Sequence, residues 1–334
     1  MSMSCPASQF GSRKAPRSAT EWTSRGFSLI EILVVLGIIV ILAAIVLPSL
    51  SSVNSVASMA EESTAARQQL KAYRDYSLDN NGKIMPGYWN RYQDDNPATS
   101  FDESSWPFLE ARDDTGRVIR DSSVAGPVSA RYPWRLGAYM DYRLATMFSG
   151  EQADYYNTVK ESLEPSSVCY LYTLSLYPSL GLNTMWLGGD TNYTADLAPS
   201  VEAMTGKLYA DRMSEIRHPA KLIVFASAHE VNHSQPEISC VEAVTTASGL
   251  QAGNFRVLSP IWNPLSGQNP WEETYDPLKP DNHGFVATRD GRKVVTGMID
   301  GSVNQEPIDA LRDMRRWANQ ADSPTWDAFS SLVP

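Results

Sequence analysis

A chain of 334 residues with 43% hydrophobic side chains is long enough to bury one sizeable core or two small ones. Its 38 acidic residues outnumber its 28 basic ones, for a formal net charge of −10. So acidic a body is a poor partner for nucleic acid, whose phosphates need clustered Lys and Arg, and it suits a protein that must stay soluble outside a membrane.

Residues 1–26 carry Arg13, Lys14, Arg17 and Arg25 against one acid, Glu21. An apolar run follows from Phe27 to Leu50, interrupted by Glu31 and carrying Pro48 near its end. As a helix at about 1.5 Å per residue it would measure about 36 Å, enough to cross the hydrocarbon core of a bilayer. The cations lie on its N-terminal side, so the positive-inside bias keeps residues 1–26 in the cytoplasm and sends the C-terminal body across in a single pass. A carboxylate inside such a run is costly and marks a functional residue. Pro48 removes one helical hydrogen bond; it either kinks or loosens the helix, or ends it. Two plainer readings compete. A simple anchor accounts for the length but not for Glu31. An ordinary secretory signal, cut at a small-residue site such as Ser58-Met59-Ala60, would have a shorter apolar part of roughly 7–15 residues.

The order Arg25-Gly26-Phe27-Ser28-Leu29-Ile30-Glu31, followed by the apolar run to Pro48, resembles the N-terminus of type IV prepilins and type II secretion pseudopilins. The resemblance covers Arg25 to about Pro48. It implies that residues 1–26 are a leader, that a prepilin peptidase cuts between Gly26 and Phe27, and that the new amine of Phe27 is methylated. Gly26 suits a cleavage site because a side chain there would crowd the backbone entering a protease cleft. The resemblance also gives Glu31 a partner. An unpaired carboxylate in lipid tends to take up a proton, and the Phe27 amine of a neighbouring subunit can neutralise it instead, fixing the register between subunits. Pro48 then sits where the helix stretches or melts during assembly. The implied partners are the peptidase, copies of the chain or other pilins in a filament, an inner-membrane assembly platform and membrane lipid. The implied setting is the inner membrane of a diderm bacterium, with the C-terminal domain periplasmic or extracellular, and the implied role is structural, not enzymatic. Loss of the leader leaves a net charge of −13.

Residues 51–82 read as a continuation of the helix, on a different pattern. Val53, Val56, Ala60, Leu70 and Tyr73 recur at mixed three- and four-residue steps, with Arg67, Lys71 and Arg74 on the solvent side. Asp79-Asn80-Asn81-Gly82 stops it, with Pro86 beyond. Residues 83–165 are rich in Tyr, Trp, Pro and Asp and read as a long insertion with short elements. Trp89, Trp106 and Trp134 are candidates for a sugar-binding face or, more simply, for core packing. Val168–Leu174 is rich in β-formers and predicts a strand, as does the apolar run Lys221–Ser227. Gly284–Thr288 and Lys293–Ile299 flank Asp290-Gly291, a hairpin signal, and Asp300-Gly301 marks a second turn. Pro307 opens a last predicted helix carrying Ile308, Leu311, Met314 and Trp317. The expectation is an α+β, pilin-like fold: one long N-terminal helix on a mainly antiparallel sheet with large insertions, the globular part covering residues 83–334.

The C-terminal part is similar to large pseudopilin-like proteins that end in a His, a spacer and Asp-Gly. Here His283-Gly284 precedes Asp300-Gly301 in that order, with a longer spacer than is usual in that group. Ser214-Glu215-Ile216-Arg217-His218-Pro219, followed by Leu222–Phe225, fits it too.

Three further features need weighing. His229-Glu230-Val231-Asn232-His233 matches the HExxH pattern of zinc peptidases, which needs both His on one helical face with the Glu as general base. A strand-like run precedes it and Pro236 follows, leaving little room for that helix; Glu237 and Glu242 are the candidate third ligands. An envelope-anchored zinc peptidase or carbohydrate binder is therefore the alternative function. Asp281, Asp290 and Asp300 are weak candidates for calcium, with turn-forming and solvated acids as the plainer account; no other cofactor is expected. Cys5 would leave with the leader. Cys169 and Cys240 remain in a compartment where a disulfide persists, and their spacing does not show whether they pair or are two small buried hydrophobes.

Overall fold

The computed structural model describes residues 28–88, 109–112, 118–124, 127–165, 167–194, 203, 205–230, 252–261, 271–289 and 293–328. For residues 46–55, 109–124, 127, 129, 151 and 168 only the backbone is described. The chain divides into two compact units, Met1–Ser51 and Ser52–Pro334.

Helix α1 runs from Leu29 to Asp79. Its first stretch, residues 29–45, is exposed throughout. In its last stretch Met59, Glu62, Ser63, Ala66, Gln69, Leu70, Tyr73 and Ser77 are buried. That three- and four-residue recurrence is the stripe of a helix lying on a core. Arg67, Lys71 and Arg74 are exposed on the other face, as the sequence predicts. The stop is as predicted too: Asn81 and Gly82 take φ of 54° and 76°, and the Gly82 N–H returns to the Ser77 carbonyl at 2.8 Å. Glycine closes a helix this way because it pays no Cβ penalty in the left-handed region.

The four-stranded sheet has the order β3 (Leu180–Leu182), β4 (Ile223–Ser227), β5 (Lys293–Met298) and β6 (Val303–Pro307), every pair antiparallel. With α1 and the helices below, the architecture is α+β. Strand β4 is central and wholly buried, as its continuous apolar run predicts for a strand covered on both faces. A register shift between Ile223 and Phe225 turns Val224 and Phe225 into one hydrophobic cluster, and Ile223 and Ala226 into a second. The first cluster contains Leu70 and Tyr73 of α1; the second contains Leu311, Met314 and Trp317 of the C-terminal segment. A separate antiparallel pair, β1 (Leu109–Arg112) and β2 (Val118–Val124), lies in the insertion.

Several expectations are corrected. Val168–Leu174 is not a strand but the core of helix α5, Val168–Leu176. The Ser167 hydroxyl caps it, accepting from the Tyr170 N–H at 3.1 Å. Its residues 170–175 are all buried, so no polar face reveals a period, and a short apolar run of this kind does not distinguish strand from helix. The insertion is more helical than predicted: α2 (Pro127–Ala130), α3 (Tyr132–Gly137) and α4 (Glu151–Ser162) occupy it. Gln152, Tyr155, Tyr156 and Val159 are the buried face of α4, at helical spacing. Residues 284–288 form no named strand; Val286 makes an isolated bridge to Ala228, and Arg289 one to Lys293. The last predicted helix is two 3-10 turns, Ile308–Arg312 and Met314–Arg316. Its apolar residues recur strictly every third position, which is the 3-10 repeat and not the 3.6 of an α-helix. Asp300-Gly301 does make the β5–β6 turn, with the Gly301 N–H on the Met298 carbonyl at 2.9 Å.

Candidate functional site

The first half of α1 begins with a reciprocal cap. The Ser28 N–H donates to the Glu31 carboxylate at 2.9 Å, and the Ser28 hydroxyl accepts from the Ile30 N–H at 3.4 Å. Glu31 thus satisfies one of the donors a helix start leaves unpaired, and its charge opposes the positive end of the helix dipole. This local role was legible in Ser28-x-x-Glu31 and is additional to the pairing role predicted from the resemblance. Gly26 and Phe27 lie outside the described residues. The helix continues through Pro48, which excludes the reading in which that residue ends it. Proline has no N–H, so the carbonyl of Ala44 loses the donor it would ordinarily meet there.

Leu29, Ile30, Ile32–Leu36, Ile38–Leu42 and Ile45 are each at least half exposed, and Glu31 is the one charge among residues 29–45. A patch of this extent marks a surface that another apolar phase covers. No helix among the described residues is long and apolar enough to cross a membrane. The stretch of α1 with described apolar side chains stops at Ile45, short of the roughly 20 residues a span needs.

The second half of α1 is fastened to the sheet by polar contacts as well as by the core. Arg289 makes a two-pronged bridge to Glu62, Nε to Oε2 at 2.8 Å and Nη2 to Oε1 at 2.6 Å, with Glu62 buried and Arg289 largely so. The same guanidinium reaches the Ser179 carbonyl at 3.1 Å. Gln305 of β6 donates to the Ser63 hydroxyl at 3.0 Å, and Arg74 to the Asp300 carbonyl at 3.1 Å. Gly297 allows the close approach of helix and strand: a Cβ there would lie 2.8 Å from Leu70 Cδ1. Sequence reasoning missed Glu62 and Arg289, because the partners stand 227 residues apart and neither sits in a motif.

The HExxH segment does not have the geometry of a zinc site where it is described. His229 and Glu230 are extended, with their N–H groups on the carbonyls of Phe285 and Ala252, both at 3.0 Å. His233, Glu237 and Glu242 lie outside the described residues. Glu230 is bonded by the Asn254 side-chain amide. Burial raises its pKa to about 7, against the lowering effects of Asn254 and Arg256. Deeper in, burial also raises Asp190, although it accepts from the Thr184 hydroxyl at 2.6 Å and faces Arg256 at 3.6 Å.

Among the described residues no group of three or more His, Cys, Asp or Glu is placed to hold a metal. Asp281 lies in the 3-10 turn Pro280–His283. The Asp300 carboxylate accepts from the N–H and hydroxyl of Ser302, at 2.8 and 2.7 Å. Asp290 lies outside the described residues. His283 is buried beside Trp271 and Tyr275, with ring centroids 5.5 and 5.1 Å away. Burial and the neighbouring Arg312 lower its pKa. Trp134 is a core residue, its indole N–H on the Leu171 carbonyl at 2.9 Å; Trp89 and Trp106 lie outside the described residues. Cys169 is disulfide-bonded, and so is not the free small hydrophobe of the plainer reading; its partner lies outside the described residues.

Residues 23–47 match the family model of the prokaryotic N-terminal methylation motif. The chain has a prepilin-type N-terminus. That motif points to a structural, pilin-type precursor rather than an enzyme. No curated protein and no solved structure matches the chain.

Proposed function

We propose that this prepilin-type protein is a subunit of a type IV pilus-like or type II secretion pseudopilus filament. It is made as a membrane precursor, cut between Gly26 and Phe27 by a prepilin peptidase, and methylated on Phe27. The observation that carries the reading is the methylation motif coinciding with the exposed apolar start of α1. Residues 27–50 serve first as an inner-membrane anchor and then as the filament core, with the assembly platform moving the subunit from one to the other. Residues 51–82 continue the helix into the exported domain, which the Glu62–Arg289 pair and the Leu70–Gly297 contact hold onto it. Lipid and filament present the same apolar surroundings to α1, so one sequence serves both states. In the filament the Glu31 carboxylate exchanges its Ser28 contact for, or shares it with, a neighbour's Phe27 amine.

The test is the mass of the N-terminal peptide from membrane-extracted protein. Expected is a chain beginning at methylated Phe27, with Gly26→Val left uncut. A chain beginning after Ala60 would overturn the reading in favour of an ordinary signal peptide.

A further inference from the structure

Residues 271–289 run over the surface of the second unit and are fastened to it at a few points. Their helical piece is the 3-10 turn Pro280–His283. Residues 272–274 and 277–279 are exposed, Leu278 among them. Trp271 is buried, with its indole N–H on the Leu258 carbonyl at 3.2 Å. The Gly284 and Phe285 carbonyls accept from the N–H groups of Leu258 and His229, at 2.9 and 3.0 Å. The Tyr275 hydroxyl accepts from the Thr288 N–H at 3.0 Å. A surface segment with so few buried side chains is drawn from the part of a fold that opens first. We propose that residues 271–289 are an acid-opened strap, held shut by a neutral, buried His283 lying against Arg312.

Arg312 is the clasp. Its Nη2 donates to the carbonyls of Glu272 and Glu273, at 2.9 and 2.7 Å, and lies 3.4 Å from Nε2 of His283. A guanidinium has donors only, so Nε2 meets it as an acceptor and the imidazole proton stands on Nδ1. Nδ1 is buried and, among the described residues, has no hydrogen-bond partner. The ring is fully buried and packs against Trp271 and Tyr275. A second proton would set a cation beside the guanidinium, in an aromatic pocket with no acceptor for Nδ1–H. A charge buried in this way either gives up its proton or moves to water.

The charged groups acting on the ring come from both sides. Arg312 and Asp309 belong to the 3-10 turn Ile308–Arg312, Glu272 to the start of the strap, and Asp281 to the ring's own turn. Burial first, then Arg312, lower the His283 pKa; Glu272 and Asp309 oppose them with less effect. His283 therefore holds its proton less tightly in the closed strap than in open chain. Its contribution to closure is complete above about pH 6.5 and is lost as pH falls from there through the lowered folded value. On the filament reading the domain is exported and meets the pH of its surroundings, which the strap then senses.

The test is hydrogen exchange with mass spectrometry on the full chain in neutral detergent, at about pH 7.5 and about pH 5, corrected for intrinsic exchange rates. Expected at the lower pH is at least a tenfold fall in protection for residues 271–289, with β4 and β5 unchanged. His283→Gln stays neutral and can still accept from Arg312, so its strap should show no such fall. His218→Gln, at an exposed histidine, should behave as the parent does. Glu230 takes up its proton over the same range in all three proteins and cancels in the comparison. Exchange of the imidazole C2 proton, read per peptide, gives the pKa of His283 in the parent and needs no variant. It should lie below 6.5. Equal protection at both pH values, an undiminished fall in His283→Gln, or a His283 pKa at or above 6.5 overturns the proposal. The filament reading stands or falls separately, on the mass of the N-terminus.

Discussion

The two halves of α1 each carry one telling glutamate, and the two glutamates sit in opposite surroundings. Glu31 is exposed among exposed aliphatics and, among the described residues, bonds within its own first turn. Glu62 is buried and grips Arg289 across the fold. Among the described residues of its own unit nothing covers the first half, which presents a continuous apolar surface. The second half is completed by the chain itself. Replacing the charge in each half should therefore damage different things: assembly in the first case, folding in the second.

The largest expected effect is at Glu31. Glu31→Leu should insert in the membrane, since it removes a penalty there, and should be absent from sheared filaments at matched membrane levels. Glu31→Gln separates the two roles of the side chain, because its amide oxygen can still accept from Ser28 but offers no charge to a neighbour's amine. Loss of assembly in both variants supports pairing with Phe27. Normal assembly of Glu31→Gln would mean that the helix cap is what matters, and normal assembly of both would leave a simple anchor as the better account. Neither change should alter urea unfolding of the unit Ser52–Pro334.

Glu62→Ala reverses that pattern. It leaves the largely buried Arg289 guanidinium with carbonyl acceptors but no carboxylate, a cost of about 3 kcal/mol, the low end for a broken buried pair. The loss should appear in urea unfolding followed by tryptophan fluorescence. Glu62→Ala/Arg289→Ala should lose less than the two single changes added together, because no lone charge is left behind. Additive losses would show that the pair does not act as a unit.

What the sequence disclosed and what it hid divide along the same line. The apolar run, Glu31, the helix stop at Asn81-Gly82, the buried strand at 223–227 and the turn at Asp300-Gly301 are local, and each was legible from a few adjacent residues. Helix α5 was hidden because burial on all sides erases its period, leaving only β-forming residue types to read. The C-terminal 3-10 turns were misread because an apolar residue every third position satisfies a loose helical template. The Glu62–Arg289 latch is a product of the fold: it joins segments 227 residues apart, and nothing in the local pattern names the partner. Of the HExxH motif, the pattern was visible but its conformation was not; the extended backbone at His229 and Glu230 comes from bridges to residues 252 and 285.

Glu230 sharpens the comparison as a third case, a buried carboxyl bonded by an amide and not by a guanidinium. Asn254 bonds it, while Arg256, Asp281 and Tyr177 act on it through space. Burial dominates and raises its pKa from 4.5 to about 7. A carboxyl whose folded pKa exceeds its unfolded value holds its proton more tightly in the folded state. Its contribution is fully present below about pH 4.5 and is lost as pH rises through about 7. The shift corresponds to roughly 3 kcal/mol lost across that window. Glu230→Gln stays neutral and keeps an acceptor for Asn254. It should match the parent near pH 4 and exceed it in urea-unfolding stability by roughly that amount at pH 8. Asp190, also raised by burial, contributes its own slope to both proteins and cancels in the difference. Parallel pH profiles for parent and variant would show that Glu230 is solvated as an ordinary surface acid. A variant less stable than the parent at pH 8 would show that the ionised carboxylate, paired through Arg256, is the form the fold prefers.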